Sequence, residues 1–151
     1  MRLSVAALIL LALVTVGFAR EKKIAKSDLP PAVQATVDEQ SHGATVTGFT
    51  SERKKGKKLY EASLVVNGHA KDIIIDESGK VVEVEEEVSF SDLPRAVQDG
   101  LKAEAGAKEI KKVESLTKDG KLMAYEAVVQ KMARHYEIQV GPDGSKLKHK
   151  E

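Results

Sequence analysis

The chain contains no cysteine and no tryptophan, and only 4% of its 151 residues are aromatic. Without cysteine there is no disulfide, no thiolate nucleophile and no zinc–thiolate site. With so few aromatics, a core must be assembled from Val, Ile, Leu and Ala, a composition that suits β-branched strands. Charge of one sign is also lacking. The net charge is +1, whereas a dedicated nucleic-acid binder shows a concentrated basic excess. Hydrophobic residues make up 42% and charged residues 31%, the balance of a soluble globular protein with length for one domain or two small ones. After the first twenty residues no apolar run approaches the ~20 residues of a bilayer span, so no membrane span is expected once that segment is removed.

Met1 to Arg20 carries one early cation, Arg2, an apolar stretch from Val5 to Val16, and small residues at Gly17 and Ala19. That order predicts a secretory signal peptide over 1–19, cleaved after Ala19, and a mature protein in the periplasm or outside the cell. The mature part is written twice. Ser27-Asp28-Leu29-Pro30-Pro31-Ala32-Val33-Gln34 returns as Ser91-Asp92-Leu93-Pro94-Arg95-Ala96-Val97-Gln98, a shift of 64 residues. After one inserted residue, Tyr60-Glu61-Ala62 returns as Tyr125-Glu126-Ala127, and Gly79 as Gly144. The expected organisation is therefore a first repeat over 20–88 and a second over 89–151.

Each repeat reads as a helix followed by strands, an α+β class built as a tandem of two helix-plus-antiparallel-meander units. Ser27 or Asp28, and Ser91 or Asp92, are candidate N-caps with Pro30 or Pro94 in the first turn. Val33 and Val37, and Leu93, Val97 and Leu101, fall on single helical faces. Gly100 lies inside the second helix and is expected to weaken it by about 1 kcal/mol relative to Ala. The period then changes to two. Lys55-Gly56, Asn67-Gly68, Ser78-Gly79, Asp119-Gly120 and Asp143-Gly144 are turn pairs. They delimit strands over 45–52, 58–66, 70–75 and 81–88, then over 109–117, 122–130, 133–140 and 145–149. One face of each sheet is expected to pack on its helix. The out-of-phase residues, Leu59, Glu61, Ser63 and Val65 with Ala124, Glu126, Val128 and Gln130, then line an exposed face that binds a partner.

The Ser-Asp-Leu-Pro-x-Ala-Val-Gln motif, the dozen-residue helix and the Tyr-Glu-Ala meander ending at Asp76 and Gly79, or Asp143 and Gly144, resemble the PepSY-like family. That family is itself described as similar to the β-lactamase inhibitor protein, another tandem repeat. The resemblance implies a small exported module that binds proteins or peptides, sometimes as an inhibitor.

Signals for chemistry are weak. His42, His69, His135 and His149 have no i, i+4 or His-x-His spacing, so no metal site is expected of them. No Gly-x-Ser-x-Gly or phosphate loop occurs, and capping accounts for Ser27/Asp28 and Ser91/Asp92; an enzyme is not expected and no cofactor is implied. Arg53-Lys54-Lys55-Gly56-Lys57-Lys58 reads as a solvated hairpin tip and not a nucleic-acid surface, since no aromatics interleave for stacking. Glu83-Val84-Glu85-Glu86-Glu87 reads as a charge-protected edge strand with one acidic face, or two if Glu86 turns inward. The function expected is a binding module for a protein or peptide of the envelope or beyond. The alternative is a cation-binding or structural envelope stress protein with no dedicated protein partner.

Overall fold

The computed structural model describes residues 22–151; the predicted signal peptide over 1–19 and its predicted cleavage point lie outside the described residues. A two-residue strand, β1 (Lys22–Lys23), precedes helix α1 (Pro31–Gln40). Four strands follow: β2 (Thr45–Lys54), β3 (Lys57–Val66), β4 (His69–Asp76) and β5 (Val81–Glu87). Helix α2 (Arg95–Ala105) then leads into β6 (Glu109–Lys118), β7 (Lys121–Lys131) and β8 (Arg134–Val140). All eight strands form one antiparallel sheet in chain order. No helix among the described residues is long and apolar enough to cross a membrane.

The turn chemistry is visible in the backbone. Lys55-Gly56, Asn67-Gly68 and Asp119-Gly120 each place two consecutive residues at positive φ, the requirement of a two-residue type I′ hairpin whose twist matches its strands. The register slips between Val46 and Gly48 on β2, and again between Ile110 and Lys112 on β6, 64 residues later. A bulge at each place adds local twist at the same point of each meander.

Both helices cover the same face. Leu29, Val33 and Val37 pack on Tyr60, Ala62, Leu64, Ile73 and Ile75, while Leu93, Val97, Leu101 and Ala105 pack on Val113, Ala127, Val129 and Val140. The residues touching the helices are those of the sequence's period-two pattern.

Three expectations need correction. The helices start later than the Ser-Asp pairs: these pairs sit in one-turn 3-10 helices (Lys26–Asp28 and Phe90–Asp92), and Pro30 and Pro94 occupy the N-cap positions without a side-chain cap. The first Asp serves its own turn instead, Asp28 Oδ2 accepting from Ala25 N at 3.0 Å. The expected strand over 145–149 is reduced to a single bridge between Val140 and Lys146. The Lys-Leu-Lys-His-Lys that follows the turn offers one apolar side chain to bury, too little to hold a strand. Finally, β5 is an interior strand, paired with β4 on one side and β6 on the other, and so not an edge. Its Glu86 does lie on the helix side, where Lys71 pairs with it at 2.7 Å.

Gly100 is required by packing. The turns at 76–80 and 141–145 share one pattern: Asp76 N donates to Lys80 O and Gly79 N to Asp76 O, as Gly141 N does to Ser145 O and Gly144 N to Gly141 O. Each turn rests on its helix. In the first, Thr36 Oγ1 donates to the Gly79 carbonyl at 2.6 Å. In the second, Gly100 stands where Thr36 stood, and a Cβ on it would lie 2.0 Å from the Gly144 carbonyl oxygen. A Cβ on Gly144, whose φ is +81°, would lie 2.1 Å from the Ala96 carbonyl oxygen.

Gly144→Ala should therefore cost about 3 kcal/mol, positive φ and backbone overlap acting together, and Gly100→Ala about 2 kcal/mol against its helix propensity. Gly120→Ala, with positive φ but open space around it, should cost only about 1 kcal/mol. Urea melts of the three variants test this order. Because β5 and β6 pair, the chain should also melt in one transition, and a chain ended after Glu87, with β5 left as a bare edge and a core of marginal size, should give no cooperative melt.

Candidate functional site

The sheet face opposite the helices carries Glu61, Ser63 and Val65 of β3, Asp72 and Ile74 of β4, Glu83, Glu85 and Glu87 of β5, Lys112, Glu114, Leu116 and Lys118 of β6, Glu126 and Val128 of β7, and Glu137 and Gln139 of β8. The register places these side chains in rows. Ser63 is opposite Asp72, Asp72 opposite Glu85, and Glu85 opposite Leu116. In the next row Glu87 is opposite Glu114, Glu114 opposite Glu126, and Glu126 opposite Gln139. Like charges directly opposite one another destabilise a sheet, so three glutamates in one row call for compensation.

Each of the three has a partner. Glu87 Oε2 accepts from Ala70 N at 3.0 Å, Glu114 Oε1 from Lys112 Nζ at 2.7 Å, and Glu126 Oε2 from Gln139 Nε2 at 2.6 Å. Burial lowers the affinity of the Lys112 ammonium for its proton, but Glu114, with Asp72 and Glu87 behind it, overcomes that and raises its pKa. Glu85 is less well served. Burial first, then the charges of Glu83, Glu114, Glu126 and Asp72, push its pKa up to about 8. Glu126 is also raised, by burial first, with the Gln139 hydrogen bond opposing. Carboxylate oxygens of Asp72, Glu85 and Glu114 all lie within 4.8 Å of one another.

A cleft of about 300 Å³ opens on this face, and seven of its twelve lining residues are glutamates against two lysines, Lys54 and Lys150. With a net charge of only +1 for the whole chain, the acidic charge is concentrated here. Ile74 and Leu116 contribute apolar surface to the lining.

The sequence placed Leu59, Glu61, Val65, Ala124, Glu126 and Val128 on one exposed face. The structure puts them on the face away from the helices, but exposure separates them. Leu59 and Ala124 are buried, at 9% and 0% exposure. Leu59 shares a groove with Lys54, Lys57, Val82 and Lys118, and the long aliphatic stems of such lysines shield an apolar floor. Glu61, Val65, Glu126 and Val128 are half-buried. Asp72, Glu83, Glu85 and Glu114, absent from the expected set, join it at the centre. The acidic phase of β5 was readable in Glu83-Val84-Glu85, but the pairing of β5 with β6 that brings Glu114 alongside has no local signal. The histidines do not converge here: His135 is opposite Gln130 on β7 and His69 opposite Val66 on β3.

No family model matches the chain, and no curated protein matches it. Solved structures do. A DUF2874 family protein from Bacteroides ovatus superposes with a TM-score of 0.62 at 21% identity, over 80% of this chain and 86% of that one. A protein of Bacteroides eggerthii, named for a proposed place in the periplasm, gives 0.63 at 21% identity with the same coverage. A BLIP-like protein from Bacteroides fragilis gives 0.57 at 21% identity, over 81% of this chain and 86% of that one. The chain thus has the BLIP-like fold, an eight-stranded antiparallel sheet with two helices.

The raised Glu85 pKa has a defined consequence for stability. Between its ordinary value of 4.5 and about 8 the folded chain holds a proton that the unfolded chain has released, so stability falls as pH rises through this window. Glu85→Gln should match the parent at pH 4.5 and exceed it progressively above, by about 2–4 kcal/mol at pH 8 after allowance for residual solvent contact. Denaturant melts at both pH values measure the difference, and an equal difference at both would assign the effect to packing.

Proposed function

We propose that the mature chain is a non-catalytic binding module of the periplasm or cell exterior that grips a protein or peptide with the uncovered face of its sheet. One observation carries this reading: the helices cover one face only, and the other presents a continuous mixed surface with a cleft at its centre. An apolar floor at Ile74 and Leu116, rimmed by charged groups, has the composition of an interface core with a polar rim. The export pattern of residues 1–19, the BLIP-like fold and the periplasmic naming of a neighbour of the same fold support it. We read the chain further as two PepSY-like copies, 20–88 and 89–151, whose helix-to-turn packing is equivalent at Thr36–Gly79 and Gly100–Gly144.

The alternative, cation binding, has one favouring observation. Three carboxylate oxygens within 4.8 Å of each other could surround a calcium ion at the usual 2.3–2.6 Å. Lys112 already neutralises Glu114, which weighs against it.

The absence of cysteine gives a clean test. Single variants Ser63→Cys and Val128→Cys on the open face, and Glu39→Cys on α1, can each carry a thiol-linked photo-crosslinker. In envelope extract the open-face positions should form a discrete adduct that the α1 position lacks. Adducts of equal pattern from both faces, or none from Ser63→Cys and Val128→Cys, would refute the face assignment.

A further inference from the structure

Granting that the open face is the binding surface, its charge and the chain's own last residues specify what it binds. We infer that the partner presents a lysine- or arginine-rich extended segment, which lies across the acidic rows of β4 to β7.

The first ground is electrostatic. The row Glu87, Glu114 and Glu126 and the cluster Asp72, Glu85 and Glu114 bring carboxyl groups together on three adjacent strands, an arrangement that costs stability in the free protein once all are ionised. Cations laid over it remove that cost, so a cationic segment gains on binding what the free face loses. An anionic or neutral segment does not. A single buried cation would serve the cluster but not the row, which spans three strands.

The second ground is independent of the cluster. Residues 146–151, Lys-Leu-Lys-His-Lys-Glu, pass from a bridge with Val140 on the helix side to Glu137 on the open side of the sheet. Lys146 Nζ is 2.8 Å from Glu104 on α2, and Lys150 Nζ is 3.5 Å from Glu137 on the open face. Beyond it Glu151 N donates to Gln139 Oε1 at 2.8 Å, the same Gln139 that holds Glu126. A lysine-bearing stretch of this chain therefore already occupies the rim of the cleft. The Lys150–Glu137 pair at the cleft is exposed on both sides, and exposed pairs hold weakly, so Lys150 is a displaceable occupant of the kind proposed.

The test uses labelled hexalysine and hexaglutamate, with anisotropy as the readout and the chain from Arg20 onward, which contains the whole sheet and both cores. At about pH 9, above the raised pKa of Glu85 and below that of lysine, hexalysine should bind at low salt, about 50 mM, and weaken at about 300 mM as screening requires. The double variant Glu85→Gln/Glu126→Gln should bind it about tenfold more weakly, and Glu39→Gln on α1 should bind it as the parent does. Lys150→Ala should bind it more tightly, because the resident cation is gone. Parent-like circular dichroism melts at pH 5 confirm that the double variant folds. Equal hexalysine binding by parent and double variant, preference for hexaglutamate, or a rise in melting temperature with calcium chloride but none with hexalysine would overturn the inference. If hexalysine fails while the Ser63→Cys and Val128→Cys adducts still form, the open face remains the binding surface and the cationic partner is wrong; if both fail, the face itself is wrong.

Discussion

The pairing of β5 with β6 is the constraint from which the rest of the structure follows. It runs from Glu83 opposite Lys118 to Glu87 opposite Glu114, and it joins two helix-and-strand groups that otherwise have separate cores. Once the strands are continuous, both helices must lie on the same face, because each follows the side-chain phase of its own strands and the phases are now shared. Among the described residues the opposite face is then left without a covering helix, and only residues 146–151 reach over its β8 side. The acidic centre is also a product of this pairing. Asp72 and Glu85 belong to the first group of strands and Glu114 and Glu126 to the second, so neither group alone would hold the cluster.

Sheets of this kind commonly face water on one side, and polar residues there need no special account. This face differs because its polar residues carry mostly one sign and are drawn together. Glu83 and Glu114 are buried at 8% and 5% exposure, and the raised pKa of Glu85 shows that solvent no longer relieves its charge fully. The compensation is local and partial: one lysine, one backbone amide and one glutamine serve the row of three glutamates. A face built for solubility alone would alternate signs and avoid this cost. The cost becomes intelligible if the face is completed by something brought to it.

Much of the fold was legible because it rests on local rules. Type I′ turns require positive φ at two residues, and Asn67-Gly68 and Asp119-Gly120 announce them; period-two apolar residues such as Tyr60, Ala62 and Leu64 announce the buried phase. What was not legible depends on contacts distant in sequence. Gly100 reads as a weak point in a helix until the Gly144 turn is seen lying against it. Leu59 reads as exposed from its phase, yet the lysines lining its groove come from β2, β3 and β6. The strand over 145–149 failed for a different reason: the repeat promised it, but its apolar residues were no longer there. Homologous position carries an expectation of structure only where the side chains that pay for it persist.

The two helix-to-turn contacts reach the same end by different chemistry. In the first, a hydroxyl on Thr36 bridges helix and turn; in the second, the missing side chain of Gly100 lets the turn backbone lie directly on the helix. Both pin the end of a meander to its helix, and each Asp in these turns, Asp76 and Asp143, holds its loop through a serine hydroxyl and amide hydrogen bonds. The helix side is thereby fixed at two separated points, and the strand rows on the far side inherit that order. A partner meeting this face finds the glutamates already in place and loses little to ordering them, which is where preorganisation raises affinity. The element to be exchanged in such an encounter is residues 146–151, held by the ion pairs of Lys146, Lys150 and Glu151, one hydrogen bond to Gln139 and a single bridge to β8, and not the sheet. Binding at this face is then an exchange of one cationic segment for another over a rigid surface.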